Sequence, residues 1–161
     1  MSEPAREAPV RPLGPLEAVD RAILRELVRD GRCTLTELAE RVGLSVSAVH
    51  QRVRRLEQRG AVRGYTARLD LDQLNLPLTA LISLTPIDPA APDDYPTRLR
   101  HLTQIESCYS VAGNESYVLL VRVASPLALE ELLRQIRESA NVSTRTTVVL
   151  STPFESRSPG I

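Results

Sequence analysis

Leu16, Val19, Ile23 and Leu27 recur every three or four residues, the period of one helical face, and predict a first helix over Leu16–Arg29. Gly31 lies near its end, where a C-terminal stop belongs. Leu35, Leu38, Ala39 and Val42 repeat the stripe, and Thr34 with Glu37 three residues later forms a capping box that starts a second helix. Gly43 then supplies a residue that turns at positive φ without a Cβ clash, and Ser45 caps a third helix. On that helix Val49, Val53 and Leu56 point inward, leaving Ser47, His50, Gln51, Arg54 and Arg55 outside. Two short helices folded across a glycine turn predict a helix-turn-helix whose outer side chains suit base edges and phosphates.

Beyond Gly60 the pattern changes. Ala61–Leu69 predicts a small wing or an extended exit strand, and Asp70–Leu76 a hinge. Leu78–Leu84 is a strand closed off by Pro86, Asp88–Pro96 a loop with three prolines, and Tyr95–Leu102 a helix. Ile105–Val111 is a second strand, Gly113–Ser116 a turn, and Tyr117–Val123 a third strand. Leu127–Arg137 is an amphipathic helix, and Thr144–Leu150 the fourth strand. The order β-α-β-β-α-β is the ferredoxin-like split arrangement. It lays two helices on one sheet face, yet the first and third strands carry apolar residues on both sides, which implies a second copy packed sheet on sheet. The fold class is therefore α+β: an N-terminal helix-turn-helix (winged-helix-like) domain followed by a ferredoxin-like β-α-β-β-α-β domain that dimerises. The expected divisions are a disordered, proline-rich arm at 1–15, a DNA-binding domain at 16–65 and a hinge linker at 66–76. A ferredoxin-like oligomerisation domain at 77–153 and a C-terminal tail at 154–161 complete the chain.

Charge sharpens the reading. The 161 residues balance to a formal charge of zero, but 1–69 hold thirteen arginines against nine carboxylates, a net of +4, and 70–161 seven against eleven, a net of −4. Between Arg41 and Arg63 six arginines face one acid, Glu57, a net of +5 that phosphate would neutralise. Ser45, Ser47, His50, Gln51, Arg54, Arg55, Arg59 and Arg63 are the candidate DNA contacts. No apolar run is long enough to span a bilayer, and prolines occupy the N-terminus where a signal peptide needs an apolar stretch, so a cytoplasmic protein without membrane contact is expected. Cys33 and Cys108 do not make a disulfide framework, and with His50 and His101 they build no metal site at ligand spacing. No cofactor is expected. No nucleophile stands beside a histidine and no glycine loop cradles phosphate, which argues against an enzyme.

The run RAILRELVRDGRCTLTELAERVGLSVSAVHQRVRRLEQRGAVRGYTA, the glycine turn at Ala112–Tyr117 and the closing strand TRTTVVL together resemble the Lrp/AsnC, or feast/famine, transcriptional regulators. The resemblance covers Leu16–Pro153. It implies a DNA-binding domain, a C-terminal domain that dimerises and senses amino acids, and dimers assembled into an octamer or similar ring. It places an effector amino acid between dimers, against the turn Gly113, Asn114, Glu115, Ser116 and Tyr117 and near Thr144, Thr146 and Thr147. Many members have aspartate before the tyrosine, whereas Ser116 stands here and Glu115 is the turn's one carboxylate. The expected partners are double-stranded promoter DNA bearing an imperfect palindrome, a small effector and further copies of the chain. The alternative is an amino-acid-binding module acting on an enzyme without DNA binding.

Overall fold

The computed structural model describes residues 16–88 and 90–155. They form two units that part between Ala67 and Arg68. The expected arm at 1–15 and residues 156–161 of the tail lie outside the described residues.

The first unit holds α1 (Ala18–Arg29), α2 (Leu35–Val42) and α3 (Val46–Gln58). The capping box forms as its spacing predicts: the Glu37 N–H donates to Thr34 Oγ1 at 3.2 Å, and the Thr34 N–H to Glu37 Oε2 at 2.7 Å. Gly43 ends α2 at φ 69°, and the Ala48 N–H donates to Ser45 Oγ at 3.3 Å to begin α3. Ile23, Leu24, Leu38, Ala39, Val49, Val53 and Leu56 form a buried core among the three helices. At about 1.5–3 kcal/mol for each large side chain buried, this core rather than helix propensity holds the short helices.

The segment after α3 pairs with no strand among the described residues. Gly60, at φ 73°, turns the chain away, and Tyr65 instead donates its hydroxyl to Glu57 Oε1 at 3.0 Å. Its ring lies over Gly31, where a Cβ would stand 3.3 Å from Tyr65 Cδ1. The segment expected as a hinge contains an ordered turn, in which Asp70 Oδ1 accepts from the Asp72 and Gln73 N–H groups at 3.0 and 3.2 Å.

The second unit runs β1 (Leu78–Pro86), α4 (Tyr95–Leu99), β2 (Ile105–Ser110), β3 (Tyr117–Val123), α5 (Pro126–Ala140) and β4 (Val142–Val148). The sheet is antiparallel in the order β2-β3-β1-β4, the ferredoxin-like arrangement. Several boundaries differ from those expected. Pro86 is the last residue of β1, opposite Val142, since a strand end tolerates proline's missing donor. Asn141 ends α5 at φ 53° and lets β4 start two residues early, leaving Leu150 outside the strand and 97% exposed. Helix α4 stops at Leu99, although Leu102 is still buried.

Register assigns the two sheet faces. Ala80, Ile82, Leu84, Tyr117, Leu119, Val121, Val123 and Val142 are buried with the helix residues Leu99, Leu129, Leu132 and Ile136. The opposite parity brings Leu81 beside Leu120 and Thr147, Ser83 beside Val118 and Arg145, and Tyr109 beside Val118. On this open face Leu81 is 37% and Tyr109 53% exposed.

Candidate nucleic-acid interface and effector turn

Helix α3 is pinned by Val49, Val53 and Leu56 and turns its other side to solvent. Ser45, Ser47, His50, Gln51, Arg54, Arg55, Arg59 and Arg63 are all exposed. The hydroxyls of Ser45 and Ser47 lie 3.2 Å apart at the helix start. Among the described residues, His50, Gln51, Arg54 and Arg63 make no side-chain hydrogen bond or ion pair. Their polar ends are available to bases and phosphates.

Arg55 differs. Its Nη2 lies 3.5 and 3.4 Å from the two carboxylate oxygens of Asp20, which is 1% exposed. Arg52 donates to the same carboxylate at 2.8 Å and to Glu17 at 2.9 Å, and Arg41 stands 3.7 Å from Glu26. The net charge counted along the basic run therefore overstates what is open to phosphate, because folding brings two acids of α1 and its N-cap Glu17 against it. Sequence reasoning missed Asp20. The available signal was its position three and four residues before Ile23 and Leu24, a carboxylate within an apolar stripe that had to find a cation.

In the second unit Gly113 and Asn114 are exposed, and Glu115 and Ser116 half-buried. The Ser116 N–H donates to Leu84 O at 2.9 Å, and the Val111 N–H to Ser116 O at 3.1 Å, fixing the turn on β1 and on the end of β2. Gly113 is not among the residues at positive φ, and a Cβ there would meet Glu115 Oε2 at an ordinary 3.8 Å. Neither backbone strain nor a tight approach demands glycine at that position. The Glu115 carboxylate is ion-paired with Arg145 of β4. Strand parity puts Thr144 and Thr146 opposite Leu84 and Ile82, on the helix-covered side, where Thr144 Oγ1 accepts from Arg137 at 3.3 Å. Arg145 and Thr147 share the open side, so the β4 residue that meets the turn is Arg145, which the sequence reading passed over.

Tyr117 anchors the turn from within. Its ring meets Tyr95 edge-on at 6.0 Å between centroids, and Arg98 stands 5.9 Å over the Tyr95 ring. Burial, then the hydrogen bond with Asp93, raises the Tyr117 hydroxyl above its ordinary pKa. Among the described residues no group of His, Cys, Asp and Glu could hold a metal ion, and no helix is long and apolar enough to cross a membrane.

A helix-turn-helix that holds the unpaired polar ends of His50, Gln51 and Arg54 out to solvent, joined to a ferredoxin-like unit with an ion-paired turn, defines a DNA-binding regulator carrying a ligand domain. Residues 16–63 match the winged helix-turn-helix DNA-binding family, and residues 79–159 the Lrp/AsnC ligand binding domain. The chain belongs to the Lrp/AsnC family of transcriptional regulators. It is 58% identical over 142 residues to the HTH-type transcriptional regulator LrpA of Mycobacterium tuberculosis, covering 88% of this chain and 95% of that protein. It is 39% identical over 145 residues to the leucine-responsive regulatory protein of Escherichia coli, covering 87% and 88%.

Among solved structures, a feast or famine regulatory protein from M. tuberculosis complexed with L-methionine shares 57% identity, covers 90% of this chain and 99% of that one, and superposes with a TM-score of 0.87. A Neisseria meningitidis transcriptional regulator in complex with L-methionine shares 29% identity over 88% and 94% of the two chains, with a TM-score of 0.82. Two of these relatives are named as transcriptional regulators and two as regulatory proteins.

Proposed function

We propose that the protein is a cytoplasmic, sequence-specific regulator of amino-acid metabolism. In this reading Ser47, His50, Gln51 and Arg54 read the major groove, while Ser45, Arg59 and Arg63 contact the backbone. Two copies joined through the open sheet face, and assembled further towards an octamer, read an imperfect palindrome. The observation that carries this reading is the outer side of α3, where His50, Gln51 and Arg54 are held out by a buried apolar stripe with their polar ends unpaired. An amino acid occupies the Gly113–Ser116 turn. The Glu115–Arg145 pair supports that assignment, because a zwitterion needs an anion for its ammonium and a cation for its carboxylate.

Mobility shifts on promoter DNA at two salt concentrations test the DNA reading. Wild-type affinity falls steeply with salt, as phosphate contacts require. Arg54→Ala costs on the order of 1–3 kcal/mol and blurs the sequence preference, whereas Arg63→Ala weakens all DNA about equally. Unchanged binding in both variants would sink the assignment. The absence of any shift would favour a regulatory module that acts on an enzyme without DNA binding.

A further inference from the structure

Asp20 is a charged side chain buried in the first unit, and nothing in the reading of α3 gives it a task. It shares the inner side of α1 with Ile23, Leu24 and Leu27, packed towards α3. Its Oδ1 accepts from Arg52 Nη1 at 2.8 Å, and its two oxygens lie 3.5 and 3.4 Å from Arg55 Nη2. An apolar side chain of similar size would join two helices at least as well, since a buried ion pair returns little more than its desolvation costs. What the carboxylate does, and an apolar residue would not, is hold two guanidinium groups.

Those two groups belong to the same helix as His50, Gln51 and Arg54, with Arg52 next to Gln51 and Arg55 next to Arg54 in the chain. Every arginine that reaches a phosphate strengthens binding to all sequences alike, whereas discrimination depends on the ratio between cognate and random DNA. We propose that Asp20 is a positioning residue for sequence discrimination: it withholds Arg52 and Arg55 from the DNA backbone, so that the base-reading side chains of α3 dominate. The geometry divides the work between the two arginines. Arg52 is held at short range by two carboxylates, and Arg55 more loosely by one. Arg55 is therefore the first to be released when the carboxylate is neutralised.

This inference rests on α3 being the DNA-reading helix, and the experiment separates the two ideas. Full-length wild type, Asp20→Asn and Arg55→Gln are titrated, over a series of salt concentrations, with a duplex selected by the wild type from a random pool and with a scrambled duplex. Thermal melts run alongside. In Asp20→Asn the slope of log affinity against log salt steepens by about one for each arginine released. Affinity for the scrambled duplex rises about tenfold at low salt, and the ratio of selected to scrambled affinity falls. Arg55→Gln retains the wild-type slope, because the cation it removes was not on phosphate. If Asp20→Asn does not fold, Arg55→Gln decides: a slope shallower by about one overturns the proposal, and an unchanged slope supports it. A folded Asp20→Asn with wild-type slope and ratio overturns the proposal alone, leaving α3 as the reading helix. A wild type that binds without salt dependence overturns both.

Discussion

Replacing Leu120 by aspartate distinguishes a sheet face that meets helices from one that meets another copy of the chain. Leu120 is half-buried in the lone chain and lies beside Leu81 and Ser107 on the open face. In a monomer the new carboxylate reaches water, and the loss is the partial burial of one leucine, about 1 kcal/mol. In a two-fold sheet-on-sheet dimer each copy buries an unpaired carboxylate at about 2–3 kcal/mol, so the pair costs roughly 5 kcal/mol. Among the described residues the cations of this face are engaged: Arg122 by Glu106 and Glu155 at 2.8 and 2.9 Å, and Arg145 by Glu115. At 1.4 kcal/mol per decade, about 5 kcal/mol weakens the dimer by more than three decades.

The control is Leu119→Asp, one residue away on the opposite face. Leu119 is 0% exposed between the sheet and its helices, so a charge there unfolds the domain instead of dividing a dimer. Sedimentation velocity over a concentration series, with circular dichroism melts, reads both effects. The expected result is a folded Leu120→Asp monomer at concentrations where wild type is dimeric, and an unfolded or aggregated Leu119→Asp. A Leu120→Asp variant that keeps its fold and the wild-type size throughout the series refutes the sheet-on-sheet dimer.

Three further outcomes follow from local contacts. Thr34→Ala removes the cap of α2 and lowers the stability of the helix-turn-helix unit by about 1 kcal/mol in thermal melts. The same cap has an acid limit: the Thr34 backbone N–H, then its hydroxyl, holds the Glu37 carboxyl below its ordinary pKa, so its stabilisation is present above the unfolded value and is lost as pH falls through the folded one. Glu37→Gln should flatten that acid loss, and an unaltered pH profile would count against it. In calorimetric titration with L-methionine and a panel of amino acids, Glu115→Gln and Arg145→Gln should each weaken the tightest ligand about ten- to a hundredfold, the worth of one charged hydrogen bond. Wild-type affinity in both variants would remove the pair from the effector site.

The features legible in the sequence are those that local physics decides. Thr34, Glu37, Gly43 and Ser45 define three helix ends through contacts no more than five residues apart, and the inward set Val49, Val53 and Leu56 follows from helical period alone. What stayed hidden depends on distant partners. Asp20 and Arg52 are 32 residues apart and Glu115 and Arg145 are 30, so neither pairing leaves a periodic trace. Strand parity in β3 was unreadable for a different reason. With Val118 and Leu120 as apolar as Leu119 and Val121, Arg122 is the strand's one polar mark of the open side, and the neighbouring helices are what show which set is core. The start of β4 depended on Asn141 adopting a left-handed conformation, a choice asparagine permits without requiring it.

The turn proposed to hold the effector is tied into the sheet at several points, which bears on how occupancy would reach DNA. Ser116 is bonded to β1, Glu115 to β4, and Tyr117 runs from the turn into the core beside Tyr95. A ligand whose ammonium takes Glu115 competes with Arg145 for that carboxylate and leaves a guanidinium seeking a new anion, which the ligand's own carboxylate supplies. Arg145 stands in register with Ser83 and, through it, Val118, on the face where the proposed second copy packs. Exchange of its partner therefore alters charge at the edge of that interface rather than in a sealed pocket. Linkage then makes the relation mutual: an effector that shifts assembly must bind differently to assembled and unassembled protein, by the same factor. Since a palindrome is read by two helices at a spacing that assembly sets, a change in the contact between copies is enough to change which DNA is held.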